Sequence, residues 1–350
     1  MSFPESPLPS TLDAKERFIS MGIIDVHHHW IPPHQMKDLH KVVLPGQTVC
    51  ELRPGTVGIA SGDSVLFLYD DKISSVDRLM ADLDRYKIEK AVLSVANWIE
   101  WLDLKMCREV NDAMYELRRR FPERLLTLSH VPIGEEGALE ELERSAALGV
   151  AGVYSIVHLS RKGWSLDNHG LNSFYELVSE LDLPIITHPA CEPLEYVPGT
   201  PSARLPLSDY NLLMCYGRPY NTTVSFLRVL LSDLLDRFPK LRFIYPHLGG
   251  SFGVLKQRIL GRHYDMGLRP TLESRLQRIF FDTAPPRWSK PELHCAIETL
   301  GAEHIMFGSD HPIEDAYLDQ AVRLIESDCF SNQEREKVGH KNAREFFRLL

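Results

Sequence analysis

The chain has 350 residues, 44% of them hydrophobic, so it can bury a large core as one barrel or as two domains. Its formal net charge is −9 with a pI of about 5.9 and no prominent basic block, which argues against nucleic acid and anionic membranes as partners. Six scattered cysteines without a C-x-x-C pair indicate reduced thiols, and we find no signal peptide or membrane span, so we expect a cytoplasmic protein.

The start of the chain combines a loose segment, a strand and an insertion. Residues 1–20 are polar and rich in Pro and Ser, and we expect a leader that packs on the surface. The first strand follows at about 22–26. Residues 34–75 then carry scattered Gly, Pro and β-branched runs without a clear helix, which predicts a small β insertion. A long ordered insertion of this kind is often a lid or a binding element.

From residue 75 onward, helical patterns alternate with short apolar runs. The sequence predicts helices at 75–86, 104–120, 136–147, 171–181, 223–238, 252–264 and 290–300. It predicts further strands at 90–95, 125–130, 151–156, 183–187, 241–245, 278–281 and 305–307. Buried strands separated by helices indicate parallel pairing with the helices outside.

Eight such units fit an α/β fold, the closed (β/α)₈ TIM barrel, with the small β insertion after strand 1. The alternative is a doubly wound open sheet, which usually carries a Gly-rich phosphate-binding turn after its first strand. Here that turn is rich in histidine. Because we see no internal repeat and no low-complexity linker, we expect residues 1–350 to form a single domain.

The first strand runs into the motif Asp25-Val26-His27-His28-His29. Side chains alternate along an extended chain, so His27 and His29 point to one side and His28 to the other. Two imidazoles on the same side can bind one metal ion. Three histidines in a row can also occur by accident in a solvated loop.

Other ligand-type side chains follow later strands of the predicted barrel. In such barrels the chemistry lies where strands end and loops begin. His188 follows the fifth strand, His247 the sixth, Asp282 the seventh and Asp310 the eighth. Each residue alone has a structural explanation, and Asp310, for example, could cap a helix. Together they predict a metal site at one end of the barrel.

Four motifs in this order resemble the amidohydrolase superfamily, and most closely its branch of metal-dependent decarboxylases. They are Asp25-x-His27-x-His29, His188-Pro189, His247-x-Gly249-Gly250 and Gly308-Ser309-Asp310-x-Pro312. The resemblance covers about 22–350 and implies that one divalent metal is bound by His27, His29, His188 and Asp310. It also implies catalytic roles in proton transfer for His247 and Asp310.

The resemblance also bears on the number and kind of metal ions. Binuclear members of the superfamily place a lysine at the end of strand four, but residues 152–155 contain none. We therefore expect a single metal ion. Three imidazoles and one carboxylate suit Zn²⁺ best, and Mn²⁺ is possible with the same ligands.

Four further residues are candidates for substrate binding. Arg53 is the only arginine of the insertion, and Arg258 resembles an arginine that relatives donate across a dimer. Trp164 is a candidate aromatic of the pocket. His311 stands where relatives usually have an aromatic residue, and it either lines the pocket or fills a polar gap elsewhere.

The resemblance implies a non-oxidative carbon–carbon lyase that decarboxylates an aromatic or unsaturated hydroxy or oxo carboxylic acid. The alternative is a hydrolase or hydratase that acts on a lactone, an amide or a related carbonyl compound. A third hypothesis is a barrel that binds a ligand without catalysis. The expected partners are a small-molecule carboxylate and further copies of the chain, as a homodimer or a higher homo-oligomer.

Overall fold

The computed structural model describes residues 22–37, 39–62, 64–159, 161–191 and 212–349, and the expected leader lies outside them. The strands in these ranges are β1 (Ile23–His29), β2 (Gln47–Arg53), β3 (Thr56–Ser61), β4 (Ser64–Asp70), β5 (Ile88–Ser94), β6 (Leu125–Ser129), β7 (Gly152–Ile156), β8 (His158–Leu159), β9 (Trp164–Ser165), β10 (Ile185–His188), β11 (Phe243–Tyr245), β12 (Ile279–Asp282) and β13 (Ile305–Met306).

The helices pack outside these strands. Their bounds are α1 (Val76–Arg85), α2 (Leu104–Arg120), α3 (Ala138–Ala147), α4 (Asn172–Glu180), α5 (Arg218–Leu231), α6 (Leu234–Arg237), α7 (Phe252–Asp265), α8 (Arg269–Leu276), α9 (Lys290–Leu300), α10 (Tyr317–Glu326), α11 (Asn332–Glu336) and α12 (Asn342–Phe346). None of the helices in the described ranges is long and apolar enough to cross a bilayer.

Eight parallel strands form the barrel in the order β1-β5-β6-β7-β10-β11-β12-β13. Backbone hydrogen bonds bring the first strand to the segment around the last one, because the Val26 N–H donates to the Phe307 carbonyl at 3.0 Å. The His29 N–H likewise donates to the His311 carbonyl at 2.8 Å. These contacts confirm the predicted (β/α)₈ barrel.

The helix pattern explains how the outer layer packs on the barrel. In α2 the side chains of Cys107, Val110, Met114 and Leu117 are buried at helical spacing, so one stripe faces the strands. Asp103 caps the helix by accepting a hydrogen bond from the Met106 N–H at 2.8 Å. The bounds of this helix are those that the sequence predicts.

The predicted β insertion is present as the antiparallel sheet β2-β3-β4. Phe67, on the inner side of this sheet, packs against Trp98 and Trp101. The ring centroids lie 5.3 and 5.7 Å apart, respectively. Both tryptophans belong to the turn that follows β5. The insertion therefore covers a loop at the same end of the barrel as the histidines.

Two helices differ from the prediction. The predicted helix at 223–238 is two helices, and the first begins earlier, at Arg218, because Pro219 is well placed in a first helical turn. The sequence analysis missed α8 (Arg269–Leu276), where only Leu272, Arg275 and Leu276 are buried. So few buried positions leave almost no helical pattern to detect.

Candidate metal centre

The four predicted metal ligands meet at one end of the barrel. One ligand atom from each of His27, His29, His188 and Asp310 lies within 4.8 Å of all the others, and all four residues are buried. The Nε2 atoms of His29, His27 and His188 lie 2.9, 3.5 and 4.0 Å from Oδ1 of Asp310. The three imidazoles thus converge on a single carboxylate oxygen.

The strand pleat separates the three consecutive histidines as predicted. His28 points away from the cluster, and its Nδ1 lies 2.9 Å from Oδ2 of Asp25. Asp310 reaches the cluster from a left-handed backbone conformation with φ of 59°. A non-glycine residue in this conformation costs on the order of 1–3 kcal/mol, and such strain is concentrated at functional sites.

A glycine lets the segment around Asp310 approach the first strand. A Cβ atom on Gly308 would lie only 2.9 Å from Cβ of His27 and 3.0 Å from Cβ of Asp282. The Asp310 N–H then donates to the His27 carbonyl at 2.9 Å, which fixes the carboxylate next to β1. Any side chain at position 308 would push two functional strands apart.

The second nitrogen of each ligand imidazole has its own partner. Nδ1 of His27 lies 2.8 Å from Oδ2 of Asp282, and Nδ1 of His29 lies 2.9 Å from Oγ of Ser94. Nδ1 of His188 lies 2.9 Å from the carbonyl oxygen of Pro189. A carboxylate and a carbonyl only accept hydrogen bonds, so Nδ1 carries the proton in His27 and His188. Their Nε2 lone pairs are then free to bind a metal ion.

This donor set fits one divalent cation. Nε2 of His27 is buried and has no hydrogen-bond partner among the described residues, which is costly unless something binds it. Three imidazole nitrogens and one carboxylate oxygen are ligands that Zn²⁺ and Mn²⁺ both accept.

The charges of the cluster favour a cation. Burial lowers the pKa of His27, but Asp282 and Asp310 outweigh it and raise this pKa to about 10. Burial lowers the pKa of His29 to about 3. Burial would raise the pKa of Asp310, yet the proximity of the three histidines holds it well below its usual value. The cluster therefore keeps an ionised carboxylate and one extra proton, which a bound cation would displace.

His247 lies beside the cluster, in a tight turn after β11. Its ring stacks on that of His27 with centroids 5.9 Å apart, and its backbone N–H donates to Oδ1 of Asp282 at 3.0 Å. His247 and Leu248 both have positive φ, 57° and 51°. Nε2 of His247 is buried without a partner in the described chain, and burial lowers its pKa to about 4. The turn thus holds a neutral imidazole beside the cluster, where the sequence analysis expected a group for proton transfer.

A family model described as "Amidohydrolase" matches residues 24–349. The chain belongs to the amidohydrolase family. It is 23% identical to the 2-amino-3-carboxymuconate-6-semialdehyde decarboxylase of Caenorhabditis elegans, over 91% of this chain and 92% of that protein. It is 26% identical to the γ-resorcylate decarboxylase of Rhizobium radiobacter, over 84% and 93% of the two chains.

Two further relatives bear on the metal and the reaction. A dihydroxybenzoic acid decarboxylase of Polaromonas sp., solved with manganese and the inhibitor 2-nitroresorcinol, superposes with a TM-score of 0.74 at 23% identity, over 94% of this chain and 97% of that one. A 2-keto-4-carboxy-3-hexenedioate hydratase of Sphingobium sp. is 30% identical over 51% of this chain and 50% of that protein. Together with the family model, the similarity to the decarboxylases confirms the decarboxylase branch and supports the expected carboxy-lyase, whereas the hydratase matches only half of the chain.

Behind β1, this amidohydrolase has a second polar cluster that contains His311. Nε2 of His311 lies 3.0 Å from Oδ2 of Asp82, and its ring packs edge-on against His28 with centroids 5.3 Å apart. His28 faces away from the metal ligands, and so does His311. Of the two interpretations of His311, the structure therefore favours the polar filler over the pocket residue.

The structure does not bring the other three candidates for substrate binding to the metal ligands by any described contact. Arg53 is exposed, and its Nε donates to Oγ1 of Thr56 at 3.1 Å within the insertion. Arg258 is exposed on α7. Trp164 is half-buried in β9, with Nζ of Lys162 5.6 Å from the ring centroid.

The sequence analysis missed Arg218, a half-buried cation near the mouth of the barrel. Its NH2 donates to the Leu66 carbonyl at 3.4 Å, the same oxygen that Sγ of Cys191 contacts at 3.1 Å. Cys191 follows His188 by three residues. Nε of Arg218 is buried without a hydrogen bond, and no described carboxylate pairs with this guanidinium. The signal that could have identified it is Pro219, which favours a helix start and so places Arg218 at the end of a strand-to-helix loop.

Proposed function

We propose that this amidohydrolase is a metal-dependent non-oxidative decarboxylase. Its substrate is an aromatic or unsaturated carboxylic acid with a hydroxyl or oxo group close to the carboxylate. The observation that carries the proposal is the ionised Asp310 among three converging imidazoles, with the neutral His247 stacked beside them. The names of the decarboxylases that it resembles support the same reaction.

The proposed cofactor is one Zn²⁺ or Mn²⁺ ion bound by His27, His29, His188 and Asp310. Zn²⁺ suits a set with three imidazoles, whereas the manganese of the Polaromonas structure supports Mn²⁺. Once bound, the cation supplies a Lewis acid that holds and polarises an oxygen atom of the substrate.

The side chains of this chain can then move the protons that decarboxylation requires. Asp310 accepts the proton of the substrate's hydroxyl group and delivers it to the carbon atom that bears the carboxylate. The carbon–carbon bond then breaks, its electron pair returns to the unsaturated system, and CO₂ leaves. A proton from solvent, passed through His247, restores the hydroxyl group. One proton is thus consumed for each CO₂ released.

Arg218 is our proposed partner for the substrate's carboxylate. A half-buried guanidinium that has no acidic partner among the described residues is costly to keep, and a guanidinium binds planar carboxylates through two parallel hydrogen bonds. Its contact with Leu66 ties it to the insertion, and Leu66 also contacts the segment that follows His188. Arg218 can therefore hold a substrate that reaches from the insertion toward the metal ligands.

We also propose that the chain forms a homodimer or a higher oligomer. Arg258 lies exposed on α7, and Val254 and Leu255 of the same helix are 61% and 39% exposed. Apolar side chains beside an available cation are typical of a surface that another copy covers. Light scattering coupled to gel filtration measures the mass, and a purely monomeric protein at micromolar concentration would contradict this proposal.

The reaction is tested with protein reconstituted separately with Zn²⁺ and Mn²⁺. Each form is mixed with hydroxybenzoates and with 2-amino-3-carboxymuconate semialdehyde, and CO₂ release is followed. We expect at least one acid to lose CO₂, and we expect metal-free protein to be inactive. A hydrated or ring-opened product without CO₂ would favour the alternative, a hydratase or hydrolase, which the partial similarity to the Sphingobium hydratase supports.

A further inference from the structure

Two lumen-facing residues of the barrel have no part in the proposed mechanism, His130 and Tyr154. His130 directly follows β6, where Oγ of Ser129 lies 2.6 Å from Oγ of Ser145 on the outer helix α3. Since Ser129 faces outward, His130 faces the lumen. The Tyr154 ring in β7 lies 5.2 Å from that of His130 and 6.1 Å from that of the metal ligand His188, between centroids. The pair therefore stands next to the metal centre.

The polar atoms of this pair are buried and poorly satisfied. His130 and Tyr154 are 0% and 1% exposed, and neither ring nitrogen of His130 nor the hydroxyl of Tyr154 forms a well-aligned hydrogen bond within the described chain, although the Tyr154 hydroxyl lies near Ser94. Tyr175, an equally buried tyrosine elsewhere, donates to the carbonyl oxygen of Leu166. Buried polar groups without partners are rare in folded proteins and often mark a site for a ligand or a water molecule.

The backbone around His130 is held rigidly. Its N–H donates to Oδ1 of Asn111 and its carbonyl accepts from Nδ2 of the same residue, both at 2.9 Å. Asn111 lies on α2 and also donates to Oε1 of Glu141 at 2.6 Å. These hydrogen bonds fix the backbone that directs the imidazole into the lumen. Mobility of the segment therefore does not explain why the ring nitrogens lack hydrogen-bond partners.

The pair is electrically neutral. Burial lowers the pKa of His130 to about 3 and raises that of Tyr154 well above its usual value. A neutral imidazole and a phenol each offer one donor and one acceptor, but no charge. Such a pair matches a hydroxyl or carbonyl group and disfavours a carboxylate, which would be desolvated without a counter-charge.

We propose that His130 and Tyr154 form a neutral hydrogen-bonding subsite that binds a second oxygen substituent of the substrate, a hydroxyl or a carbonyl, next to the metal centre. The proposal rests on the proposed function, since the substrate's hydroxyl or oxo group next to the carboxylate is placed at the metal. A cleft that is open to solvent also reaches Tyr154. The subsite therefore selects acids with two oxygen substituents over acids with one.

The test measures binding, so that it does not depend on turnover. Metal-loaded wild-type protein and the variant Tyr154→Phe are titrated by calorimetry with 2-hydroxybenzoate and with the four dihydroxybenzoate isomers that carry a second hydroxyl group at position 3, 4, 5 or 6. We expect wild type to bind at least one dihydroxy isomer more tightly than 2-hydroxybenzoate. In Tyr154→Phe the loss of one neutral hydrogen bond should lower the affinity for that isomer roughly 3- to 10-fold. The affinity for 2-hydroxybenzoate should change less than twofold.

Two further variants support the interpretation. Tyr175→Phe removes a buried tyrosine hydroxyl outside the site and should change neither ligand. His130→Leu should cause the same selective loss as Tyr154→Phe. The subsite proposal would be overturned if Tyr154→Phe lowered the affinity for both ligands equally or changed neither affinity. It would also be overturned if wild type bound no dihydroxy isomer more tightly than 2-hydroxybenzoate. CO₂ release from the same samples is scored separately, so selective binding without CO₂ would refute only the reaction.

Discussion

Asp282 supports two functional histidines at once, and Asp282→Asn should therefore weaken metal binding without removing a ligand. Oδ2 of Asp282 accepts from Nδ1 of His27 at 2.8 Å, whereas Oδ1 accepts from the backbone N–H groups of His247 and Ala284, both at 3.0 Å. An asparagine that keeps its oxygen on these two N–H groups must turn its NH₂ toward His27. The proton of His27 then moves to Nε2, the atom that should bind the metal ion.

The expected magnitude follows from the role of such supporting groups. Loss of a carboxylate behind a metal-bound histidine weakens metal binding by about 10- to 100-fold. This range corresponds to about 1.4–2.8 kcal/mol. Competition with a chromophoric chelator at pH 7.5 measures the affinity, and thermal unfolding in chelator shows whether the metal-free fold is intact.

A matched control separates the charge of Asp282 from the loss of any hydrogen bond. Ser94→Ala removes the neutral partner of His29 Nδ1, which lies 2.9 Å from Oγ. Because a hydroxyl fixes the ring without a charge, we expect less than a tenfold loss of affinity. An Asp282→Asn variant that binds metal within twofold of wild type would refute the role assigned to Asp282.

Other substitutions test the remaining parts of the site. His28→Ala should keep the metal ion and His29→Ala should lose it, as measured by metal analysis after dialysis; loss of metal from His28→Ala would show that the wrong histidines were chosen. His247→Asn should lower kcat about 10²- to 10⁴-fold with unchanged metal content, and an unaltered kcat would exclude its part in proton transfer. Arg218→Met should raise KM for the acid roughly 10-fold or more, while an equal KM would exclude its contact with carboxylate. The pKa of His130 is about 3 in the fold against 6.5 when exposed, so only the unfolded chain gains a proton as pH falls from 6.5 toward 3, and stability falls with it. Urea unfolding of chelator-treated protein at pH 7 and 4.5 should show a smaller loss of stability for His130→Leu than for wild type.

The parts of the site that lie on regular strands could be predicted from the sequence. The alternation of side chains in an extended segment separated His28 from its two neighbours. The rule that chemistry lies at the ends of barrel strands selected His188, His247, Asp282 and Asp310 as candidates. These inferences need only the strand pattern, because position along a strand determines which way a side chain points. The choice of His188 and Asp310 as the remaining metal ligands came from the resemblance to the amidohydrolase superfamily.

Contacts between distant segments could not be predicted in this way. Asp282 was expected either to act near the metal ion or to be purely structural, and only its hydrogen bonds to His27 and His247 distinguish these roles. Arg218 lies before the predicted start of its helix, and its lack of an acidic partner among the described residues depends on packing across three segments. His311 was ambiguous for a similar reason, because its partner Asp82 is on α1, far away in the sequence.

Decarboxylation in D₂O tests the central proposal most directly. Protein reconstituted with Zn²⁺ or Mn²⁺ is incubated with the panel of hydroxylated and unsaturated acids, and the products are examined by NMR and by CO₂ detection. We predict CO₂ together with a product that carries one deuterium at the carbon atom that bore the carboxylate, and no reaction in metal-free protein. A product that retains its carboxylate and has gained the elements of water, or the absence of CO₂ from every acid in the panel, would contradict the proposed function.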